Sequence, residues 1–386
     1  MVTSDFNFSA KHLAVRDFVR NLVQTLALKD RATYYDRMGL VPKDVYVELG
    51  KYELPGGGSL LTPTVPKEYL GAGADSITAG IITEEIGRAD GVFLTYLFEA
   101  IGNLLVKYAP EHIKSKWVPK MSRGESIIAI ALTERGAGSD PSLMQTKAIY
   151  KNGKYILTGQ KHFITHAAPG VADAFLVFAK TGEGRHDISC FFVESNTPGV
   201  TQYRIANSLG HRAAGWGGII FNNVEVSKDN LIGEENKALP MFLDIWNYDR
   251  VLLALLSLGM AEASLEEAIN YSKQRIVFGQ RLADLQHIQF LIAEDYTLIE
   301  SAKLLAYKAL QMRDQGLPIA KEAAMAKWYA IDVAQKVVDD AIQIHGAIGY
   351  TEELPLERRY REIRGFRIAA GSSEIMKRTI AREILK

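Results

Sequence analysis

The sequence predicts an α+β fold in three consecutive parts: helices, then a sheet, then helices again. Three observations carry this. Between Phe6 and about Arg123, apolar residues recur at the spacing of amphipathic helices, as in AGIITEEIGRADGVFLTYLFEAIGNLLVKYA. From Ser126 the pattern changes to short β-branched and aromatic runs bounded by Gly, Asn and Pro: SIIAIAL, TKAIYKNGKYILTGQKHFIT, DAFLVFAKT, ISCFFVE and GGIIFNNVEV. After Asn230, long helical periods return around 251–273, 285–313 and 321–345.

The first part spans residues 1–125 as an N-terminal helical domain. LPGGGSLLTPTVPKEYLGAGA interrupts it at 54–74, because so many glycines and prolines cannot continue a helix. Residues 126–235 form the middle β domain, a small barrel or sheet read as antiparallel. Residues 236–386 form the C-terminal helical domain. A length of 386 residues suffices for two or three packed domains with a large core.

Composition narrows the function classes. Forty-five basic and 45 acidic residues cancel, which argues against a nucleic-acid binder that works through a strong phosphate-directed field. With 47% hydrophobic and 23% charged residues, long disorder is not expected. The single cysteine, Cys190, excludes an intrachain disulfide and a thiolate cluster, and no metal site is expected. The opening MVTSDFNFSAKHLAVRDF carries charges through its apolar pattern and does not read as a signal peptide. The longest apolar stretches, such as VLLALLSLGMA, fall short of the roughly 20 residues of a membrane span. A cytoplasmic protein is the expectation. There is no G-x-G-x-x-G between strand and helix, no P-loop, no H-E-x-x-H and no G-x-S-x-G.

Four segments are chemically specific. ALTERGAGSD (131–140) packs small residues into a tight turn whose backbone amides can approach an anionic ligand, with Thr133 and Ser139 adding hydroxyls. An ordinary glycine turn is the plainer reading. GQKHFITHAA places Phe163 and Thr165 two apart, on one strand face. QRIVFGQRLADLQHIQF sets Arg275, Phe278 and Gln286 in a turn-and-helix region, and IQIHGAIGYTEE ends a long helix with Gln343, His345, Gly346 and Gly349. Taken singly, these residues have structural readings too. Phe163 and Phe278 could be core, Arg275 a solvated helix-end charge, Gln343 a surface residue and His345 a satisfied interior imidazole.

Together, in this order and spacing, the four segments resemble the acyl-CoA dehydrogenase family over almost the whole chain, through to SSEIMKRTIAREI. The resemblance implies an N-terminal helical domain, a middle β-barrel or sheet domain and a C-terminal four-helix-bundle domain. It also implies a homotetramer, non-covalent FAD, an acyl-CoA substrate, and an electron-transferring flavoprotein or another electron acceptor. By that resemblance Leu132 and Thr133 touch the flavin ring, and Ser139 touches both cofactor and CoA thioester arm. Phe163 stands where the family usually has Trp, and Thr165 is the hydroxyl donor near flavin N5. Arg275, Phe278, Gln286 and Gln343 hold FAD across a subunit boundary. Gly346 matches the first glycine of a family pair whose second is Ala347 here. Ser372 and Glu374 lie around the adenine half.

One departure bears on chemistry. Many family members carry the base that removes the α-proton as a Glu in a YEGT-type segment; here the segment reads RIAAGSSEI, with Ala369 and Ala370 in place of Tyr-Glu. Two acids could replace it. Asp249 directly precedes Arg250, the position at which a branch including isovaleryl-CoA dehydrogenases carries its base, and Arg250 would contact the substrate. Asp90, in EEIGRADGVFLTYLFEA, lies on a segment resembling the wall of the acyl pocket. Helical spacing puts Phe93 and Leu94 on its side as pocket lining. Structural alternatives are pairing of Asp249 with a neighbouring Arg, and fixing of Arg88 or the helix by Asp90.

A family branch acting on cyclohex-1-ene-1-carboxyl-CoA also lacks the usual Glu and uses an Asp in a 1,4-elimination to the cyclic dienoyl-CoA. Ala370 with Asp90 makes that reaction, part of alicyclic and anaerobic aromatic metabolism, the leading expectation. The alternatives are 1,2-dehydrogenation of cyclohexanecarboxyl-CoA or of a short or branched acyl-CoA from Asp249, and a binding protein of the same fold without catalysis.

Overall fold

The computed structural model describes residues 8–205 and 207–386. Helices come first: α1 (Ala10–Thr25), α2 (Leu28–Met38), α3 (Lys43–Leu49), α4 (Ser76–Ala89), α5 (Tyr96–Tyr108) and α6 (Glu111–Ser122). Strands β1 (Ile128–Ala131), β2 (Lys147–Lys151), β3 (Lys154–Ile164), β4 (Ala174–Lys180), β5 (Ile188–Glu194), β6 (Val200–Arg204), β7 (Gly217–Ser227) and β8 (Leu231–Ile232) follow. The chain continues with α7 (Ala238–Gln274), the hairpin strands β9 (Ile276–Val277) and β10 (Gln280–Arg281), α8 (Gln286–Asp314), α9 (Ala320–His345), α10 (Leu356–Phe366) and α11 (Ser373–Ile384). The order is helical, β, helical, as the periodicity predicts. Among the described residues no helix is long and apolar enough to cross a membrane.

Two compact units can be distinguished. The helical unit takes the chain up to Arg37, Asp75–Phe93 and Asn247–Lys386; the sheet unit takes Met38–Ala74 and Leu94–Trp246.

In the helical unit, local chemistry sets where helices start and stop. Ser9 and His12 cap α1 reciprocally, and Asp75 caps α4 by accepting from Thr78 N at 2.8 Å. The α4 and α7 backbones approach closely at glycines. A Cβ on Gly87 would stand 2.3 Å from Leu256 O, and one on Gly259 2.1 Å from Glu84 O, so neither position has room for a side chain. Alanines at 302, 306 and 309 of α8 and at 323, 324, 330 and 334 of α9 are fully buried, the small residues that close helix packing needs.

The helical reading of AGIITEEIGRADGVFLTYLFEA needs a correction. α4 stops at Ala89, and Asp90 is extended (φ −175°, ψ 157°). A new helix begins at Tyr96. Asp90, Phe93 and Leu94 are therefore not neighbours on one helix face. A Cβ at Gly91 would meet Met260 Sδ at 2.7 Å, so the break is packed in place.

The sheet unit holds strands in the order β6-β7-β3-β2-β4-β5-β8, with β1 also on β4. The sheet is mixed, where the sequence reading had it antiparallel: β1 runs parallel to β4, and β2 meets β4 in parallel at Lys147–Lys180. Residues 174–179 of β4 are all fully enclosed. A strand covered on both faces reads as a continuous apolar run, which is what AFLVFA is. β7 alternates buried and exposed residues from Ile219 to Ser227, broken once at Asn222–Asn223.

Candidate active site

Two groups of predicted residues become concrete, one in each unit. In the sheet unit, β1 leads directly into the turn at 132–140. Backbone bonds between Glu134 and Ala137, at 3.1 Å in both directions, close it. The Glu134 carboxylate points inward and accepts from Gln145 N at 2.6 Å, Thr146 N at 3.0 Å and Lys161 Nζ at 2.8 Å. Lys161, fully buried on β3, also donates to Leu132 O at 3.0 Å. Burial opposes ionisation of Glu134, yet Lys161 and the two amides outweigh it and hold the carboxyl below its usual range. Burial pulls the Lys161 amine down to about 8 against the pull of Glu134.

This ion pair anchors the turn from beneath, leaving Leu132 and Thr133 half-buried and Ser139 exposed. His162 N donates to Thr133 O at 2.9 Å, which brings Thr133 beside Phe163. β3 bulges between Lys161 and Ile164, and Phe163 takes φ +60°. Phe163 and Thr165 thus do not share a regular strand face. The bulge instead turns the Phe163 ring outward, 48% exposed, against His162 and Trp216.

In the helical unit, α7 carries Asp249 and Arg250. Asp249 is 1% exposed, and neither carboxylate oxygen has a hydrogen-bond partner. Burial pushes its acid up to about 8, although Arg250 and Lys327 pull the other way. Arg250, expected at the substrate, has its guanidinium engaged by the protein. Nε donates to Ala370 O at 2.9 Å and Nη1 to Asn247 Oδ1 at 2.8 Å.

Asp90 is placed differently. Its carboxylate is fully buried and held by Arg358, through Nε at 2.9 Å and Nη2 at 2.8 Å, while Val92 N donates to its other oxygen. The expected partner Arg88 instead meets Glu262 and Glu266. Phe93 is fully enclosed and packs edge-on against Tyr35; Leu94 is 3% exposed. Both are core residues here.

A further set gathers at one end of the helix bundle. Arg275 and Phe278 flank and form the β9–β10 hairpin, Gln286 opens α8, and Gln343 and Gly346 close α9. Tyr271 and His345 rings stand 4.5 Å apart, and the apolar cluster of Ala268, Ala341, Ile344 and Leu356 ties these termini together. Phe278 is 96% exposed at φ +48°, and Arg275, Gln286 and Gln343 are exposed. His345 bonds Ala341 O, a satisfied interior imidazole. Ser372 caps α11 by accepting from Ile375 N, with Glu374 exposed in the first turn.

Consecutive stretches of the chain match the acyl-CoA dehydrogenase N-terminal domain (residues 9–125), middle domain (129–224) and C-terminal domain (239–385). The chain belongs to the acyl-CoA dehydrogenase family. It is 38% identical over 376 residues to an acyl-CoA dehydrogenase of Bacillus subtilis (strain 168), covering 96% of each. It is 36% identical over 384 residues to a 3-(aryl)acrylate reductase of Clostridium sporogenes, covering 98% of this chain and 100% of that one. Butyryl-CoA dehydrogenase from Megasphaera elsdenii has a similar structure, with a TM-score of 0.93 at 30% identity over 99% of this chain and 100% of that one. As a family member this protein is an FAD-dependent oxidoreductase acting on an acyl-CoA.

The residues present fit FAD. Nothing lies within 4 Å of a Cβ placed on Gly136 or Gly138, so space is open before the turn. The outward rings of Phe163 and Phe278 are apolar surfaces that a planar ring system would cover.

Sequence reasoning missed two lysines. Lys161 sits between strand residues that pack, and Lys327 falls in the stripe Ala323, Ala324, Ala330, Ile331 and Ala334 of α9, all buried. A lysine at the i+3/i+4 spacing of an apolar helix face is the signal that could have found Lys327.

Proposed function

We propose that this protein dehydrogenates the α,β carbon–carbon bond of an acyl-CoA with Asp249 as its base, on an α-branched or cyclic acyl group of the cyclohexanecarboxyl type. The Asp249 carboxyl carries this reading: it is buried, unbonded at both oxygens and raised to about 8. A structural carboxylate in such a place would be paired. A base needs free lone pairs and a raised affinity for a proton. Asp90 has neither oxygen free for that task, so the 1,4-elimination of a cyclohexenyl thioester loses the acid that favoured it. The small side chains of Ala369 and Ala370 leave room at a substituted α-carbon.

FAD, when bound, accepts the hydride leaving the β-carbon. Asp249 takes the α-proton, and the thioester carbonyl spreads the developing charge. Arg250 fixes the turn at Ala370 rather than pairing with the base. Leu132, Thr133, Ser139, Phe163 and Thr165 are assigned to the flavin and its thioester neighbour. Arg275, Phe278, Gln286, Gln343 and Gly346 are assigned to FAD of a partner subunit in a homotetramer, and Ser372 and Glu374 to the adenine half. Electrons pass on to an electron-transferring flavoprotein or another acceptor. The reductase name of the C. sporogenes relative describes the reverse direction, in which the same residue returns the proton.

The test is anaerobic single-turnover flavin bleaching with cyclohexanecarboxyl, cyclohexenecarboxyl, isovaleryl and butyryl thioesters. Asp249→Asn should retain FAD and bind substrate while flavin reduction slows by roughly 10²–10⁴-fold. Bleaching at the full rate by that variant overturns the assignment.

A further inference from the structure

A tyrosine from one strand crosses a second to reach a bulge in a third. Tyr203 lies on β6, which pairs with β7 at Gly218, and β7 pairs in turn with β3. A Cβ on Gly218 would stand 2.2 Å from both Cζ and Oη of Tyr203, so the ring lies over β7 where no side chain intervenes. Its hydroxyl meets two groups of β3. Gln160 Nε2 donates to it at 2.6 Å, and His162 Nδ1 lies 2.6 Å from it. With the oxygen accepting from Gln160, the hydroxyl proton is left for His162, whose Nδ1 accepts. That bond requires a neutral imidazole. Burial, joined by Arg135, lowers the His162 imidazole below its usual range, which favours the neutral form.

Phe163 directly follows, at φ +60°, a backbone conformation that a bulky aromatic residue rarely takes. Strain of this kind persists only where surrounding bonds over-determine it. Here His162 N donates to Thr133 O at 2.9 Å, and the His162 ring stands edge-on to Phe163 with centroids 4.2 Å apart. The imidazole is wedged between the Tyr203 hydroxyl and the Phe163 ring. We infer that Tyr203 and His162 are positioning residues for the cofactor, acting through Phe163, because their hydrogen bond fixes the bulge that holds the exposed ring against the flavin. The inference rests on Phe163 covering the flavin. A hydroxyl that only tied β6 to β3 would need its bond to Gln160 alone. The second bond, to the residue beside the bulge, is the one a strand tie does not require. Nor does folding account for it, since an outward ring gains little from a fixed orientation in the chain by itself.

The experiment is a double-mutant cycle between Tyr203→Phe and Phe163→Ala on the holoenzyme. It is read by the rate of FAD loss, followed by flavin fluorescence, and by the visible circular dichroism of the bound flavin. Phenylalanine at 203 keeps the ring across Gly218 and deletes only the hydroxyl. Tyr203→Phe alone should speed FAD loss by roughly 3–10-fold and shift the flavin dichroism towards that of Phe163→Ala. Phe163→Ala alone should speed the loss by roughly 10–100-fold. In the Phe163→Ala background, Tyr203→Phe should change neither reading, because the ring through which it acts is gone. His162→Ala, which removes the wedge itself, should behave as Tyr203→Phe does in both backgrounds. No effect of Tyr203→Phe in the wild-type background overturns the inference. So does an equal effect in both backgrounds, because the hydroxyl would then serve the sheet alone. FAD loss at the wild-type rate from Phe163→Ala overturns instead the reading of Phe163 as the flavin's wall.

Discussion

Arg358 and Asp90 form an ion pair with almost no solvent access, Nη2 to Oδ2 at 2.8 Å and side chains 2% and 0% exposed. Arg358 Nη1 extends it to Thr33 Oγ1 at 2.8 Å, so α10 is joined to α2 and to the end of α4. Breaking such a pair leaves one charge buried and uncompensated, at about 3–5 kcal/mol. Asp90→Asn is expected to lower unfolding free energy by that order in denaturant titration. Its remaining folded enzyme should bleach flavin at close to the wild-type rate. A 100-fold slower reduction at unchanged stability would return the base to Asp90.

Phe278 offers a second measurement. A phenylalanine 96% exposed in an isolated chain contributes little to that chain's folding. If cofactor and partner subunit cover it, truncation removes about 1.5–3 kcal/mol of burial from the holo-assembly alone. Phe278→Ala should therefore leave the thermal stability of flavin-free protein unchanged and speed FAD loss by roughly 10–100-fold. An unchanged dissociation rate, followed by flavin fluorescence, removes Phe278 from the cofactor site.

How far the sequence was legible follows from which signals are local. Helical spacing locates the C-termini of α7, α8 and α9 within a few residues, because α8 and α9 repeat an apolar face for many turns and α7 is buried on every side from Val251 to Leu265. The break at Asp90 escaped it, since the residues beyond Gly91 are just as apolar as those before. Parallel pairing of β1 with β4 escaped it too, because register between residues as far apart as Ile128 and Ala174 leaves no trace in local alternation. For the site, the residue types of Asp249 and Asp90 are equivalent on paper. Both are buried, and only their partners separate them: Arg358 holds Asp90, while both Asp249 oxygens are unbonded. The acceptors of Lys327 and Lys161, a carbonyl and a carboxylate, come from distant segments, so no local pattern pairs them.

His166 gives a pH test independent of the reaction. It is 3% exposed, and burial lowers its imidazole to about 4 from the usual 6.5. A histidine with a depressed folded-state value favours the native fold only while neutral. That advantage is intact above pH 6.5 and is lost as pH falls through 4. The difference corresponds to about 3 kcal/mol. His166→Asn should flatten the stability loss between pH 6.5 and 4 by that order, read from denaturant midpoints across the range. Equal slopes in both proteins would mean that His166 accepts its proton in place.

Ala370→Glu tests why the usual carboxylate is absent. The backbone there is held at φ +54° with its carbonyl on Arg250, so a new side chain starts from a fixed position. The left-handed strain, about 1 kcal/mol for any L-residue, is already borne by alanine. The added carboxyl would share Arg250 and Lys327 with Asp249, and two acids in one field push one of them towards its neutral form. Its bulk would also enter the space left for a substituted α-carbon. Weak new bleaching by a straight-chain thioester such as butyryl-CoA is the expected gain, with slower bleaching by cyclohexanecarboxyl-CoA as its cost. In the double variant with Asp249→Asn, only the straight-chain activity should survive. Faster turnover of the ring thioester by Ala370→Glu alone would contradict this, because the alanine would then be a lost base rather than room for the substrate.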